Sequence, residues 1–330
     1  MRMYSFVVVL LTALNAQGAA PSVQFVQVQE GVKLEVLNWG GRGQDLVLLT
    51  GLGGTAHDFN DFAQKLVPKY HVYGITRRGY GQSSTPAVTV ESYSPERLGD
   101  DVLAVCDYLN LRRPLLVGHS IAGEELSSVG SRYPEKVAGL IYLDAAGPDA
   151  FYNTSSGDFM LDLFDLERKL ALLDPRTAAA DIRPIVDELV AVSVPRFEKD
   201  LQGMQKHLAV TPPPPPPSPS KKPGERRPDP FAAIIAGQEK FTSIRAPVLA
   251  IMAVPHARPP APPNADAEWR SKIASWEAWD TAFGSAQVAA VKQDSPGARV
   301  VVLPHASHVI YKSNEAEVLR SMDEFISGLK

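Results

Sequence analysis

Leu115-Leu116-Val117-Gly118-His119-Ser120-Ile121-Ala122-Gly123 is an apolar run, then a serine boxed by small residues, then the start of a helical pattern that continues from Glu124 to Tyr133. A short leucine and valine run that ends in a glycine turn predicts a buried strand passing straight into a helix, with Ser120 at the apex. A nucleophilic hydroxyl needs that place, because a sharp, strained turn pushes its oxygen clear of the backbone. Strand and helix can pass that closely only if the residues two before and two after are small, as Gly118 and Ala122 are. The pattern is G-x-S-x-A rather than the fuller G-x-S-x-G, so a strand-to-helix connection that only packs a sheet is the competing reading.

Outward from this stretch, strands and helices alternate. Asp45 to Thr50 reads as a short strand running into Gly51-Leu52-Gly53-Gly54, Asp58 to Val67 as a helix, and His71 to Ile75 as a strand closed by Thr76-Arg77-Arg78-Gly79-Tyr80-Gly81. Pro95 to Leu109 is helical, and Val137 to Leu143 is another buried strand. Ahead of these, Ser22 to Gln29 and Val32 to Trp39 alternate around Glu30-Gly31 as a β-hairpin. The repeated βαβ rhythm predicts an α/β fold: a mostly parallel, doubly wound sheet with helices on both faces.

From Pro148 to Gln238 the rhythm changes. Helical patterns at Phe159 to Leu173 and Ala180 to Val194 follow without an intervening strand, and Pro212 to Pro217 are six successive prolines. This predicts an inserted helical lid over 148–238, interrupted by an exposed polyproline II segment that continues through Lys221 and Arg227. The sheet pattern resumes with Pro247 to Ala253, a helix from Ala267 to Phe283 and a last strand at Val300 to Leu303. Trp269, Trp276 and Trp279 on that helix are expected against the core or facing the cleft, and Glu315 to Leu329 closes the chain as an amphipathic helix. The core is thus divided into 19–147 and 239–330.

With 45% hydrophobic and 21% charged residues, the composition is that of an ordinary globular protein. A formal net charge of −4 and scattered lysines and arginines give no basis for a nucleic-acid partner. Met1-Arg2-Met3, the apolar stretch from Tyr4 to Leu14 and small residues at Ala16 and Gly18 describe a secretory signal over 1–18, cut after Gly18. The apolar stretch is too short for a membrane span, so the expectation is a secreted or periplasmic protein with no stable span once the signal is removed. Cys106 is the sole cysteine, which leaves no intramolecular disulfide, and its place in a helical stretch favours core packing.

A serine becomes a useful nucleophile when a base takes its proton and a carboxylate holds the base. In a parallel sheet that base must arrive at the carboxyl ends of the strands. Among the seven histidines His308 fits, since it lies after the last strand and before the last helix; His305 is its nearest competitor and His256 a weaker one. His71 opens a strand, and His207 lies in the insertion. The glycines at 51–54 do not read as a phosphate loop, because no lysine follows them.

These residues resemble the α/β-hydrolase fold superfamily, and within it the lid-bearing serine esterases and related peptidases. The resemblance runs from about Asp45 to the end, apart from the insertion. It rests on Thr50-Gly51-Leu52-Gly53-Gly54, Arg78-Gly79-Tyr80-Gly81-Gln82-Ser83, Gly118 to Gly123, Ile141-Tyr142-Leu143-Asp144 and Ala306-Ser307-His308, in the family's chain order. It implies nucleophile Ser120, base His308, and an oxyanion hole from the backbone N–H groups of Ile121 and Leu52.

The acid departs from the commoner pattern, because the strand at 247–253 runs into Pro255-His256-Ala257-Arg258-Pro259 with no carboxylate. The family's alternative place, after the strand that follows the nucleophile helix, is occupied by Asp144; Asp266, in the proline-rich loop, is the second candidate. Thr50 and Thr76 also stand where a histidine and an aspartate are common. The resemblance implies acyl transfer on a small-molecule carboxylic ester without a metal or organic cofactor. A proline-type aminopeptidase, with Glu124 and Glu125 receiving the substrate amine, a lactonase on the same triad and a non-catalytic ligand-binding relative remain as alternatives.

Overall fold

The computed structural model describes residues 20–174, 176, 181–210, 229–258 and 263–329. The signal peptide read at 1–18 and the polyproline tract at 212–217 lie outside the described residues.

Eight strands form one sheet: β1 (Ser22–Gln29), β2 (Val32–Gly40), β3 (Asp45–Leu49), β4 (His71–Ile75), β5 (Leu115–His119), β6 (Gly139–Leu143), β7 (Val248–Ala253) and β8 (Arg299–Leu303). Their spatial order is β1-β2-β4-β3-β5-β6-β7-β8. β2 runs antiparallel to both neighbours and every later pairing is parallel, so the expected hairpin and parallel sheet are both present.

The central strands read as unbroken apolar runs because both of their faces are covered. Val47, Leu49, Leu116, Leu140, Tyr142, Val248 and Ala250 enter one core, whereas Leu46, Leu48, Leu115, Val117, Ile141, Leu249 and Ile251 enter the other. Helices α1 (Asn60–Leu66), α2 (Pro95–Tyr108) and α3 (Ala122–Arg132) follow β3, β4 and β5. α1 packs its Phe62, Ala63 and Leu66 on the second face, while α2 and α3 pack Val102, Val105, Leu126 and Val129 on the first. Cys106 is buried in that first core, and burial pushes its thiol up to about 12.

Between β6 and β7 the described residues hold helices only: α4 (Phe159–Ala171), α5 (Arg183–Glu188), α6 (Val194–Val210) and α7 (Pro230–Gly237). Residues Leu189–Ser193 form one π-helical turn that joins α5 to α6, so the helix expected to end near Val194 continues instead. α7 reaches back to the sheet edge. Its Ala233 and Ile234 pack with Tyr93, Leu98 and Ile121, and Leu52 and Tyr80 border the same cluster.

After β7 comes α8 (Ala267–Asp294), longer than the helix expected to stop at Phe283. Gly284 is a packing position within it rather than a stop, because a Cβ there would run into the Val254 side chain. β8, α9 (Ile310–Ser313) and α10 (Glu315–Gly328) complete the chain, with Ile310, Tyr311, Val318 and Met322 closing the second core.

Because β4 lies on one side of β3 and β5 on the other, the chain switches direction across the sheet at the β3/β5 pair. The connections from these two strands leave toward opposite faces and open a crevice at their carboxyl ends. Gly123 sits in its wall, and a Cβ there would collide with the Ala145 carbonyl oxygen. Gly123→Ala is therefore expected to lower the urea midpoint by an amount worth about 1–3 kcal/mol. Gly203→Ala, in α6 where a Cβ meets nothing within 4 Å, should instead raise it by about 0.8–1 kcal/mol through helix propensity.

Candidate active site

At the end of β5 the chain leaves a strand buried along its whole length and enters α3 within two residues. Ser120 makes that turn in the left-handed region, with φ +55°, a conformation that costs a non-glycine residue about 1–2 kcal/mol. Asp144 makes the matching turn after β6 with φ +47°. The two are tied through adjacent strands. The Ser120 N–H donates to Leu143 O at 3.4 Å, and the Asp144 N–H donates to Ile251 O at 2.8 Å.

His308 arrives between β8 and α9. Its Nε2 lies 2.9 Å from Ser120 Oγ and its Nδ1 2.7 Å from Asp144 Oδ2. Asp144 is largely buried, and its second oxygen, Oδ1, accepts the Ala253 N–H at 2.8 Å. Burial acts to raise the Asp144 carboxyl, but hydrogen bonds from His256, His308 and the Ala253 N–H outweigh it, and the group lies below its ordinary value. The His308 loop is fixed by its neighbours: His119 Nε2 donates to the His308 carbonyl at 3.0 Å, and the two rings lie 4.8 Å apart. Burial pushes the His119 imidazole down, which keeps it neutral with its one N–H on that carbonyl.

The loop after β3 lies against the same serine. A Cβ on Gly51 would come within 3.3 Å of Ser120 Cβ and 2.9 Å of His119 Nδ1. The Gly54 N–H donates back to Gly51 O at 3.2 Å, and Gly53, at φ +79°, completes the turn with Leu52 at its corner. Among the described residues neither the Leu52 nor the Ile121 N–H donates to a protein acceptor, which leaves both free for an oxygen bound beside Ser120.

Thr50 and Thr76 serve the frame of this loop. Thr50 Oγ1 meets Asp58 at 3.3 Å, and the buried Thr76 hydroxyl bonds Glu35 at 2.7 Å while accepting the Ala56 N–H. Behind them Arg77 pairs with Glu125 and donates to the Thr50 carbonyl, and Arg78 grips Asp101 with two bonds of 2.6 Å.

Three residues weighed for catalysis go elsewhere. Asp266 caps α8, accepting the Trp269 N–H at 2.7 Å, because an aspartate just before a helix finds orphan donors there. His305 is exposed in the turn after β8, with φ +57°. His256 joins the site from the far side of Asp144, away from Ser120: its Nε2 lies 2.9 Å from Asp144 Oδ2 and its Nδ1 3.1 Å from Asp280 Oδ1.

Glu124 and Glu125 are buried, Glu125 with Arg77 and Glu124 driven well above its ordinary value by desolvation and by nearby Asp149. Trp276 and Trp279 are not core residues but stay exposed on α8, Trp276 under the Arg258 guanidinium and Trp279 stacked on Phe283. Trp269 is half-buried beside the α8 N-terminus.

Asp280 was not a sequence candidate. Its link to His256 crosses from α8 to the loop after β7, and only the absence of a carboxylate in that loop hinted that another group would act there.

Asp144, His256 and His308 bring one donor atom each within 4.8 Å of one another, near enough to consider a cation. The spacings of 2.7 and 2.9 Å are those of N–H···O bonds and shorter than the roughly 3.3 Å between tetrahedral zinc ligands. A cavity of about 150 Å³ lies on the His256 side of Asp144, lined by Met252, Val254, Asp280, Phe283 and Gly284 with the two histidines; Ser120 is not part of its wall.

The family of the alpha/beta hydrolase fold matches residues 46–185. A putative esterase/lipase of Haemophilus influenzae is 28% identical over 121 residues, 37% of this chain and 38% of the relative. The AB hydrolase superfamily protein YisY of Bacillus subtilis is 31% identical over 166 residues, 46% of this chain and 58% of the relative. The chain thus spans less than two thirds of the length of either. An epoxide hydrolase of Bacillus megaterium, solved with an inhibitor, is 17% identical and superposes with a TM-score of 0.53 over 92% of this chain and 100% of its own, a likeness of fold. The family match over β3 to α5, the strand order and the turn at Ser120 agree, and the chain has the α/β-hydrolase fold.

Proposed function

We propose that the protein is a serine hydrolase that cleaves small or medium carboxylic esters through an acyl-enzyme on Ser120. The observation that carries this reading is the unbroken line from Ser120 Oγ to His308 Nε2 at 2.9 Å and from His308 Nδ1 to Asp144 Oδ2 at 2.7 Å. His308 takes the Ser120 proton as Oγ attacks the ester carbonyl, then gives it to the departing alcohol. Water releases the acyl group by the same steps reversed. Asp144 stays ionised and holds the imidazolium that forms. The N–H groups of Leu52 and Ile121 receive the negative oxygen of the tetrahedral intermediate, each worth about 2.7–4 kcal/mol of barrier.

An esterase-named relative is consistent with an ester substrate. The aminopeptidase reading loses its support at Glu124 and Glu125, since Glu125 is committed to Arg77 and Glu124 is wholly buried, its carboxyl pushed well above the ordinary value by desolvation. In this reading helices α4 to α7 act as a lid over the crevice, and the basic, then apolar, segment at 1–18 exports the chain. N-terminal sequencing of protein recovered from periplasm or medium should begin at Ala19; retention of residues 1–18 on exported protein rejects that cleavage.

On a panel of chromogenic esters, amides and lactones, Ser120→Ala is expected to reduce ester turnover by about 10⁶-fold. Persistence of the wild-type rate in that variant rejects the mechanism. Asp144→Asn should lower kcat by about 10⁴-fold by losing the carboxylate that orients His308. Asp266→Asn should leave kcat unchanged, with an effect on stability below about 1 kcal/mol, since asparagine caps a helix as well as aspartate; the paired assay discriminates the two carboxylates.

A further inference from the structure

Asp144 Oδ2 is shared. His308 Nδ1 reaches it from one side at 2.7 Å and His256 Nε2 from the other at 2.9 Å. Behind His256 stands a second carboxylate: Asp280 Oδ1 and Oδ2 lie 3.1 and 3.2 Å from His256 Nδ1, and Asp280 Oδ2 also accepts the His256 backbone N–H at 2.7 Å. A neutral imidazole has one N–H, so one of its nitrogens would turn a lone pair on a carboxylate; only the doubly protonated ring donates to both. Both carboxylates are more than nine-tenths buried, which makes an unpaired charge on either one costly.

We propose that His256, fixed as an imidazolium between Asp144 and Asp280, is a positioning residue that holds the Asp144 carboxylate in line with His308 and offsets part of its charge. The proposal rests on the reading of Ser120, His308 and Asp144 as the catalytic groups. The loops after β7 and β8 are laced together for this purpose, with the His305 N–H on Pro255 O and the Ala257 N–H on Ala306 O, both at 2.7 Å. The titratable groups facing His256 are Asp144 at the end of β6, His308 after β8 and Asp280 on α8. Arg258 and Glu277 pair with each other where its own loop meets α8.

The hydrogen bond to Asp144, against desolvation and with Asp280 behind, raises the His256 ring to about 9. A carboxylate that shares its charge with this cation stabilises the His308 imidazolium less than a lone carboxylate would.

His256→Asn removes the cation but keeps a neutral donor near Asp144. On the full chain with a chromogenic ester, the acid limb of kcat/KM is expected to move up by at least about half a pH unit. kcat should fall about tenfold while KM changes less than about twofold. Asp280→Asn, which keeps the ring but removes its second carboxylate, should lower the pH at which His256 loses its second proton. The pairing stabilises the fold fully below about pH 6.5 and loses that effect as pH rises through about 9, so the wild type should lose more Tm than His256→Asn across this interval.

A His256 that only packs would lower Tm in the variant and leave the limb within about 0.2 pH unit, which overturns the proposal. If His256→Asn does not fold, the charge of His256 in the wild type decides instead. Ring nitrogen chemical shifts of His256 at pH 7.5 report its charge without turnover: two protonated nitrogens support the proposal, and a neutral ring overturns it. Turnover persisting in Ser120→Ala would reject the serine mechanism, whereas inactive Ser120→Ala with an unmoved limb rejects only the role of His256.

Discussion

The structure depends on a steric constraint at the carboxyl end of β5. A strand buried on both faces has no room for a gradual exit, so the chain must turn within one residue and start α3 against its own strand. Gly118 allows this: a Cβ there would sit 3.0 Å from Leu126 and 3.1 Å from Ala122. Ser120 takes the left-handed conformation that results. The strain is held by tertiary packing, since Ile121 is locked with Leu52, Tyr93 and Ile234 and the Ser120 N–H is anchored on β6. The same turn that exposes the hydroxyl also leaves the Ile121 N–H without a protein acceptor among the described residues, so both groups come from one backbone geometry.

Around that turn the site alternates carboxylates and imidazoles. Asp144 and Asp280 are buried carboxylates, and two histidines stand one between them and one between Asp144 and Ser120. Burial would neutralise isolated carboxylates, and hydrogen bonds from the rings keep Asp144 ionised instead. His119 adds no charge. Its neutral ring holds the backbone of His308 rather than its imidazole, which leaves that imidazole to meet Ser120 and Asp144.

Much of this was legible in the sequence, for identifiable reasons. β5, the turn at Ser120, and Asp144 and His308 at the ends of strands are local patterns or follow from the order of βαβ units. The loop at Gly51 to Gly54 could be placed because its glycines follow a strand. The continuation of α8 past Phe283 was not legible, because at Gly284 the helix crosses Val254, a contact no local pattern shows. Glu124 and Glu125 carry polar names at buried positions, and nothing local in α3 announces that Arg77, which follows β4, comes to meet one of them. The His256–Asp280 pair is equally nonlocal, joining a loop to a helix 24 residues further on.

The two unusual features of the site are one feature. β6 and β7 are parallel neighbours, so the residue after β6 and the loop after β7 emerge side by side. With Asp144 at the first position, a carboxylate at the second would place two buried negative charges within hydrogen-bonding distance, and one would have to take up a proton. A histidine there turns the repulsion into a bond, and it in turn requires an acceptor on its outer nitrogen, which α8 supplies with Asp280. The absence of an acid after β7, the acid after β6, the histidine at 256 and the length of α8 that carries Asp280 are then consequences of where a single buried carboxylate sits.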